Sequence, residues 1–303
     1  MKKFLIFISI LFIIIKVSFF NLLECGSFRR IHSGNDIYVV GLATSLREGD
    51  NFMDPEKIIQ FAYEHEFYGP LQVYLDEQAR RKATIIKELA QKYNIPLICH
   101  SLLGTRKLTP EELRDEIDVA VHILEGQEEK MIVFHYDPTW SREEFEKYLY
   151  EFNSSGLVPC IENPVADNRV YSKYLSALQH AVNQQIKFYL VIDFGKIFTQ
   201  ERGEFAFSQE ESMEVLNTLL EFAEKNSIPL ILHMMDSKSI NFKDRRYWCP
   251  LGEGLIPYRE RILPLLRGHR DLIKANILEY EDSEQLISSF HNWRSLIFGL
   301  KPQ

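Results

Sequence analysis

Six side chains able to hold a metal ion, His100, His135, Glu162, Asp193, His233 and Glu279, recur in one local setting: each closes a short run of apolar, β-branched and aromatic residues. The stretch CIENPV (160–165) shows the pattern, with Glu162 and Asn163 placed between an apolar run and Pro164. A carboxylate at the end of a buried run is costly unless hydrogen bonds or positive charge meet it. One such residue alone reads more readily as a satisfied polar group at a strand end than as a functional one; six in succession point to a shared site. Mixed carboxylate and imidazole donors suit Zn, Mn, Fe or Mg, and the lack of thiolates among them argues against a structural zinc site. Cys99 and Cys160, each close to one of the six, read as small packing residues.

The elements that must position these residues alternate along the chain. Strand candidates are IYVVGLA (37–43), LQVYL (71–75), IPLICHS (95–101), MIVFHY (131–136), VPCIEN (158–163), FYLVIDF (188–194), PLILHMMD (229–236) and LIKANILEY (272–280). Between them lie amphipathic stretches such as DPEKIIQFAYEH, EQARRKATIIKELAQKY, SREEFEKYLYEF and EESMEVLNTLLEFAEKN, with helical apolar spacing and acidic residues in the first turn. Strands apolar along their whole length are buried on both faces, as parallel strands covered by helices are. Eight strand-helix units over about 265 residues predict a single (β/α)8 TIM barrel over residues 35–303, with the active face at the C-terminal strand ends. The six residues then share one rim.

The 303-residue chain is 46% hydrophobic, enough for a large core. Its net charge of −8 gives no electrostatic footprint for a polyanion, so nucleic acid is not the expected partner. Residues 1–34 form a separate N-terminal segment. Two lysines precede an apolar run, and residues 4–23 read as a signal peptide or membrane anchor, although Lys16 interrupts the run. The barrel's cysteines have no metal-type spacing and fit a reducing compartment.

In order and spacing, IEN at Glu162, VIDFG at Asp193, LHMMDSK at His233, LGEG at 251–254 and ILE at Glu279 resemble the xylose-isomerase-like barrels. That superfamily includes sugar and sugar-phosphate isomerases and epimerases and also endonuclease IV. The resemblance runs from about residue 37 to about 298. In the epimerase branch it implies one divalent metal on Glu162, Asp193, His233 and Glu279, with the two glutamates exchanging protons with the substrate carbon. In the endonuclease branch it implies the same four with His100 and His135 added, and a third metal. Two departures tell against that third metal: Lys196 stands where both branches usually place a histidine, and KDRRYWCPLGEG lacks the histidine of an Asp-x-His pair.

These residues support a divalent-metal enzyme, with one or two ions, that isomerises or epimerises a sugar or sugar phosphate through an enediolate. Catalytic roles fall to Glu162, Glu279 and Lys196, the lysine serving as a fixed positive group near a substrate oxygen or pairing with a neighbouring carboxylate. The connection 237–258 carries Lys238, Lys243, Arg245, Arg246, Tyr247 and Trp248, where arginines suit a phosphate or carboxylate and aromatic rings suit a sugar face. Arg245, Arg246, Trp248, Lys196 and Asn163 are therefore the expected substrate contacts, with Asn163 also able to orient Glu162. Asp137 and Asp236 fit either of two roles, holding the nearby imidazoles or capping the next helix. The alternatives are a phosphodiester hydrolase of endonuclease IV type lacking the third metal, and a catalytically degenerate barrel that binds a ligand.

Overall fold

The computed structural model describes residues 39–165, 167–198, 208–240 and 244–298. The N-terminal apolar run and Lys243 lie outside the described residues. Within them, no helix is long and apolar enough to cross a membrane.

All eight expected strands form: β1 (Val40–Ala43), β2 (Leu71–Tyr74), β3 (Leu97–His100), β4 (Met131–His135), β5 (Val158–Glu162), β6 (Tyr189–Asp193), β7 (Leu230–Met234) and β8 (Ile273–Leu278). They pair in parallel and in sequence order, and β1 returns to β8 to close the barrel. Each strand is shorter than its apolar run, because flanking residues feed loops rather than the ladder. Glu279 thus lies just past β8, its N–H donating to the Met234 carbonyl at 3.1 Å.

Strand alternation divides the core in two. One cluster of buried side chains contains Ile98, Val133, Cys160, Tyr189, Val191, Ile231 and Ile277. The other joins the intervening strand positions, such as Val73, Cys99, Phe134, Ile161, Ile192 and Leu232, to the helices. Counting on by two from the first set reaches His100, His135, Glu162, Asp193, His233 and Glu279. The candidate ligands therefore share the parity of the barrel interior. Register sets them level: His135 pairs with Glu162, Asp193 with His233, and Tyr74 with His100.

Helix starts follow local chemistry. Thr109, Ser141 and Ser208 each open a helix with a reciprocal capping box, ahead of Pro110–Ile123, Arg142–Ser154 and Gln209–Asn226. Ser141, not Asp137, caps Arg142–Ser154; Asp137 instead accepts the N–H and hydroxyl of Thr139 in a tight turn. The stretch EQARRKATIIKELAQKY is two helices, Glu77–Arg81 and Ala83–Tyr93, rather than one. The break falls at Lys82, whose ammonium reaches Asp54 and Glu56.

Asp236 has a structural task rather than an imidazole to hold. Its Oδ1 accepts the N–H groups of Ser237 at 2.8 Å and Ile256 at 3.2 Å, and its Oδ2 those of Gly252 at 2.9 Å and Gly254 at 3.0 Å. Both glycines are required: Gly252 has φ +81°, and a Cβ at Gly254 would lie 2.1 Å from Asp236 Oδ1. One buried carboxylate thus ties both ends of the loop that follows β7. Asp236→Ala leaves these donors unpaired and is expected to lower unfolding stability by on the order of 3 kcal/mol in urea titration, with a smaller loss for Asp236→Asn. An unchanged midpoint would show that other contacts hold the loop.

Candidate metal centre

Glu162 is the centre of the rim. It is buried, and three imidazoles converge on its Oε2: His135 Nε2 at 3.2 Å, His100 Nε2 at 3.3 Å and His233 Nδ1 at 3.5 Å. Its other oxygen accepts a hydrogen bond from the Lys196 ammonium. Burial by itself would raise the Glu162 pKa, but His135, Lys196 and His233 together hold it well below the usual carboxylate range.

The far nitrogens of two histidines decide what the near ones offer. His100 Nδ1 lies 2.9 Å from the Ser101 carbonyl, which only accepts, so the proton sits on Nδ1. In the neutral ring Nε2 then points a lone pair at the Glu162 carboxylate. For His233, the Gln72 amide is oriented by Glu279: Gln72 Nε2 donates to Glu279 Oε1 at 2.8 Å, leaving Gln72 Oε1 to accept from His233 Nε2 at 2.7 Å. In the neutral ring His233 Nδ1 then carries no proton, and it is buried and without a hydrogen-bond partner, 3.2 Å from Glu279 Oε1. Lone pairs facing carboxylate oxygens repel unless a cation lies between them. Anchoring the distal imidazole nitrogen on a carbonyl or amide is also how metal-binding histidines are held.

Burial lowers the pKa of His233, and it lowers that of His135 to about 4, with Lys196 and His100 adding to the effect at His135. At neutral pH these two rings have no proton to lose on meeting a cation. The ligand atoms of His100, His135 and Glu162 all lie within 4.8 Å of one another, a spacing that one ion can span. The residues present therefore fit a divalent metal.

Asp193 and Glu279 complete the ring of charge. Burial, then repulsion from Glu162 and Glu279, raise the Asp193 pKa well above the ordinary value, against the lowering effect of Lys196. Burial would lower the Lys196 pKa, but Glu162, Asp193 and Glu279 outweigh it and raise it. Glu279 Oε1 also accepts from the Tyr74 hydroxyl at 2.9 Å. Among the described residues nothing hydrogen-bonds its Oε2.

Asn163 holds a neighbour of Glu162 rather than the carboxylate itself: its Oδ1 accepts the Asp193 N–H at 2.6 Å, and its amide donates to Tyr171 at 3.0 Å. Arg245 pairs with Glu281 at 2.6 Å and lies over Trp248, 5.9 Å from the ring centroid. Arg246, 83% exposed, pairs with Asp244 through two bonds of 2.7 Å. Cys99 and Cys160 are buried, and burial raises both thiol pKa values, as suits packing residues.

No family model matches the sequence, and no curated protein does. Solved structures do match. The protein AsfvAP, solved as AsfvAP:AG, superposes with a TM-score of 0.58 at 16% identity, covering 88% of this chain and 99% of that one. A xylose isomerase domain-containing protein from Salmonella typhimurium gives 0.56 at 12% identity over 88% and 98%. A 3-keto-D-glucoside 4-epimerase from E. coli gives 0.53 at 14% identity over 84% and 98%. The chain folds as a xylose-isomerase-like barrel.

On this xylose-isomerase-like barrel two further rim residues come from β2, Gln72 and Tyr74, neither of which stands out in the sequence. Gln72 is a neutral amide inside LQVYL, and its parity with the barrel interior is the signal that marks it. Behind His100, buried Glu116 accepts from the Ser101 hydroxyl and from Arg80 at 2.8 Å, fixing the carbonyl that sets the His100 tautomer. Gln72→Leu removes the acceptor for His233 and is expected to weaken Zn or Mn binding about 10- to 100-fold in equilibrium dialysis. Full affinity in that variant would show that His233 is oriented by packing alone.

Proposed function

We propose that the protein is a divalent-metal-dependent enzyme that isomerises or epimerises a sugar or sugar phosphate by moving a proton at the carbon next to a carbonyl. The observation that carries this reading is the Glu279 carboxylate, fixed on Oε1 by Gln72 and Tyr74 and open on Oε2, beside the orphaned Nδ1 of His233. Zn, Mn, Mg or Fe would sit on Glu162, His100, His135 and His233, with Asp193 and Glu279 close by. When bound, such an ion supplies Lewis-acid stabilisation of the enediolate oxygens.

The two glutamates differ in what remains free. Glu162 has one oxygen on Lys196 and the other facing three imidazoles, and its depressed pKa makes it a weak base. Glu279 is the better proton carrier, taking the proton on Oε2 and returning it. One carboxylate used twice suits aldose-ketose isomerisation, whereas epimerisation needs a second donor on the opposite face. Lys196, an ammonium held at the rim, can stabilise charge on a substrate oxygen. Trp248 and Arg245, stacked on the loop tied by Asp236, offer an apolar face and a cation to the rest of a sugar phosphate, and Arg246 adds a second cation.

A phosphodiester hydrolase is the second reading, favoured by the convergence of His100 and His135 on one oxygen of Glu162. Glu279→Gln separates the two. It is expected to slow exchange of a sugar C–H proton with deuterated solvent by about 100- to 10,000-fold while metal content stays that of the native protein. Cleavage of abasic-site DNA by the native protein, with no such exchange on any sugar tested, would replace isomerisation by hydrolysis.

A further inference from the structure

Two cation positions flank Glu162. On its Oε2 side are His100 Nε2, His135 Nε2 and His233 Nδ1. Its Oε1 side faces Asp193, and there a cation is already present: Lys196 Nζ bonds Glu162 Oε1 and lies 3.9 Å from Asp193 Oδ2. Lys196 is three residues beyond Asp193, and its backbone N–H donates to Asp193 Oδ1 at 3.2 Å, so the turn that begins directly after β6 aims the ammonium back over the rim.

Charge makes the same point. Glu162, Asp193 and Glu279 bring three negative charges when ionised, and Lys196 is the one lysine or arginine among the described residues that pairs with any of them. A second divalent ion beside the ammonium would leave a buried excess of positive charge, and it would need the Glu162 oxygen that Lys196 occupies. Buried charge without compensation is among the costliest things a protein interior can hold.

We propose that Lys196 is a built-in cation filling the Asp193 side of Glu162, so that the site takes a single divalent ion on the His100, His135 and Glu162 side. The proposal rests on the metal-dependent reading above. It assigns the lysine a definite chemical consequence: Glu162 serves as a terminal ligand through one oxygen and does not bridge two ions.

The test counts ions. Full-length protein and the variants Lys196→Gln and Lys196→Arg are loaded with excess zinc, dialysed against metal-free buffer, and measured by elemental analysis, with circular dichroism melts to verify folding. One zinc per chain is expected in the native protein and in Lys196→Arg, and two in Lys196→Gln, where the vacated Glu162 oxygen and Asp193 accept the second. Cobalt loading gives an independent readout, with a new set of absorption bands for the second ion in Lys196→Gln alone. Two ions in the native protein overturn the proposal, whatever the variants do. So does a folded Lys196→Gln that still holds one, and either result leaves the metal-dependent function standing. Absence of zinc and cobalt binding in every form would overturn both the proposal and the function it rests on.

Discussion

A carboxylate cut off from water has to be met by donors or by positive charge, and Glu162 is the residue on which that requirement falls most heavily. Everything around the barrel mouth can be read as a response to it. Lys196 answers on one oxygen. On the other, three imidazole nitrogens converge, an arrangement that a divalent cation would complete. Such a convergence suits capture of a cation, with the cost of bringing like partners together borne by the folded barrel.

That organisation reaches outward through hydrogen bonds of fixed direction. Gln72 reads the charge of Glu279 and passes the result to His233 as a tautomer. Arg80 and Glu116 do the same for His100 through Ser101. In both chains the last link is an acceptor that cannot donate, so each imidazole has one available neutral tautomer. The support comes from separate elements, β2 for one histidine and the Pro110–Ile123 helix for the other, so the two are fixed independently.

The barrel was legible in eight apolar runs separated by amphipathic stretches, and the shared rim of candidate ligands in the six of those runs that end in an imidazole or carboxylate, because parallel strands put such ends on one face. Helices such as Arg142–Ser154 and Gln209–Asn226 were legible in apolar spacing and acidic first turns, whereas the capping boxes at Thr109, Ser141 and Ser208 came from the structure. What stayed hidden depends on contacts across strands that no local pattern encodes. Asp236 sits near His233 in sequence, yet it satisfies backbone groups as far along the chain as Ile256. Gln72 and Glu116 carry no motif; Glu116 lies on a helix face that periodicity marks simply as buried. Asn163 was legible as a support but not as a support for Asp193, because that partner comes from the next strand.

The inward parity shared by the candidate ligands has a consequence for how this chain can change length. Side-chain direction in a strand flips with each residue, so inserting or deleting one residue within β3 to β7 would turn that strand's ligand into the helix-packed layer and bring an apolar neighbour to the mouth. The connections on the opposite side of the barrel carry no such constraint, since they set neither parity nor level. Length variation is therefore expected to collect in the loops that enter the strands and to spare the strands themselves, even where their apolar residues are freely exchanged for one another.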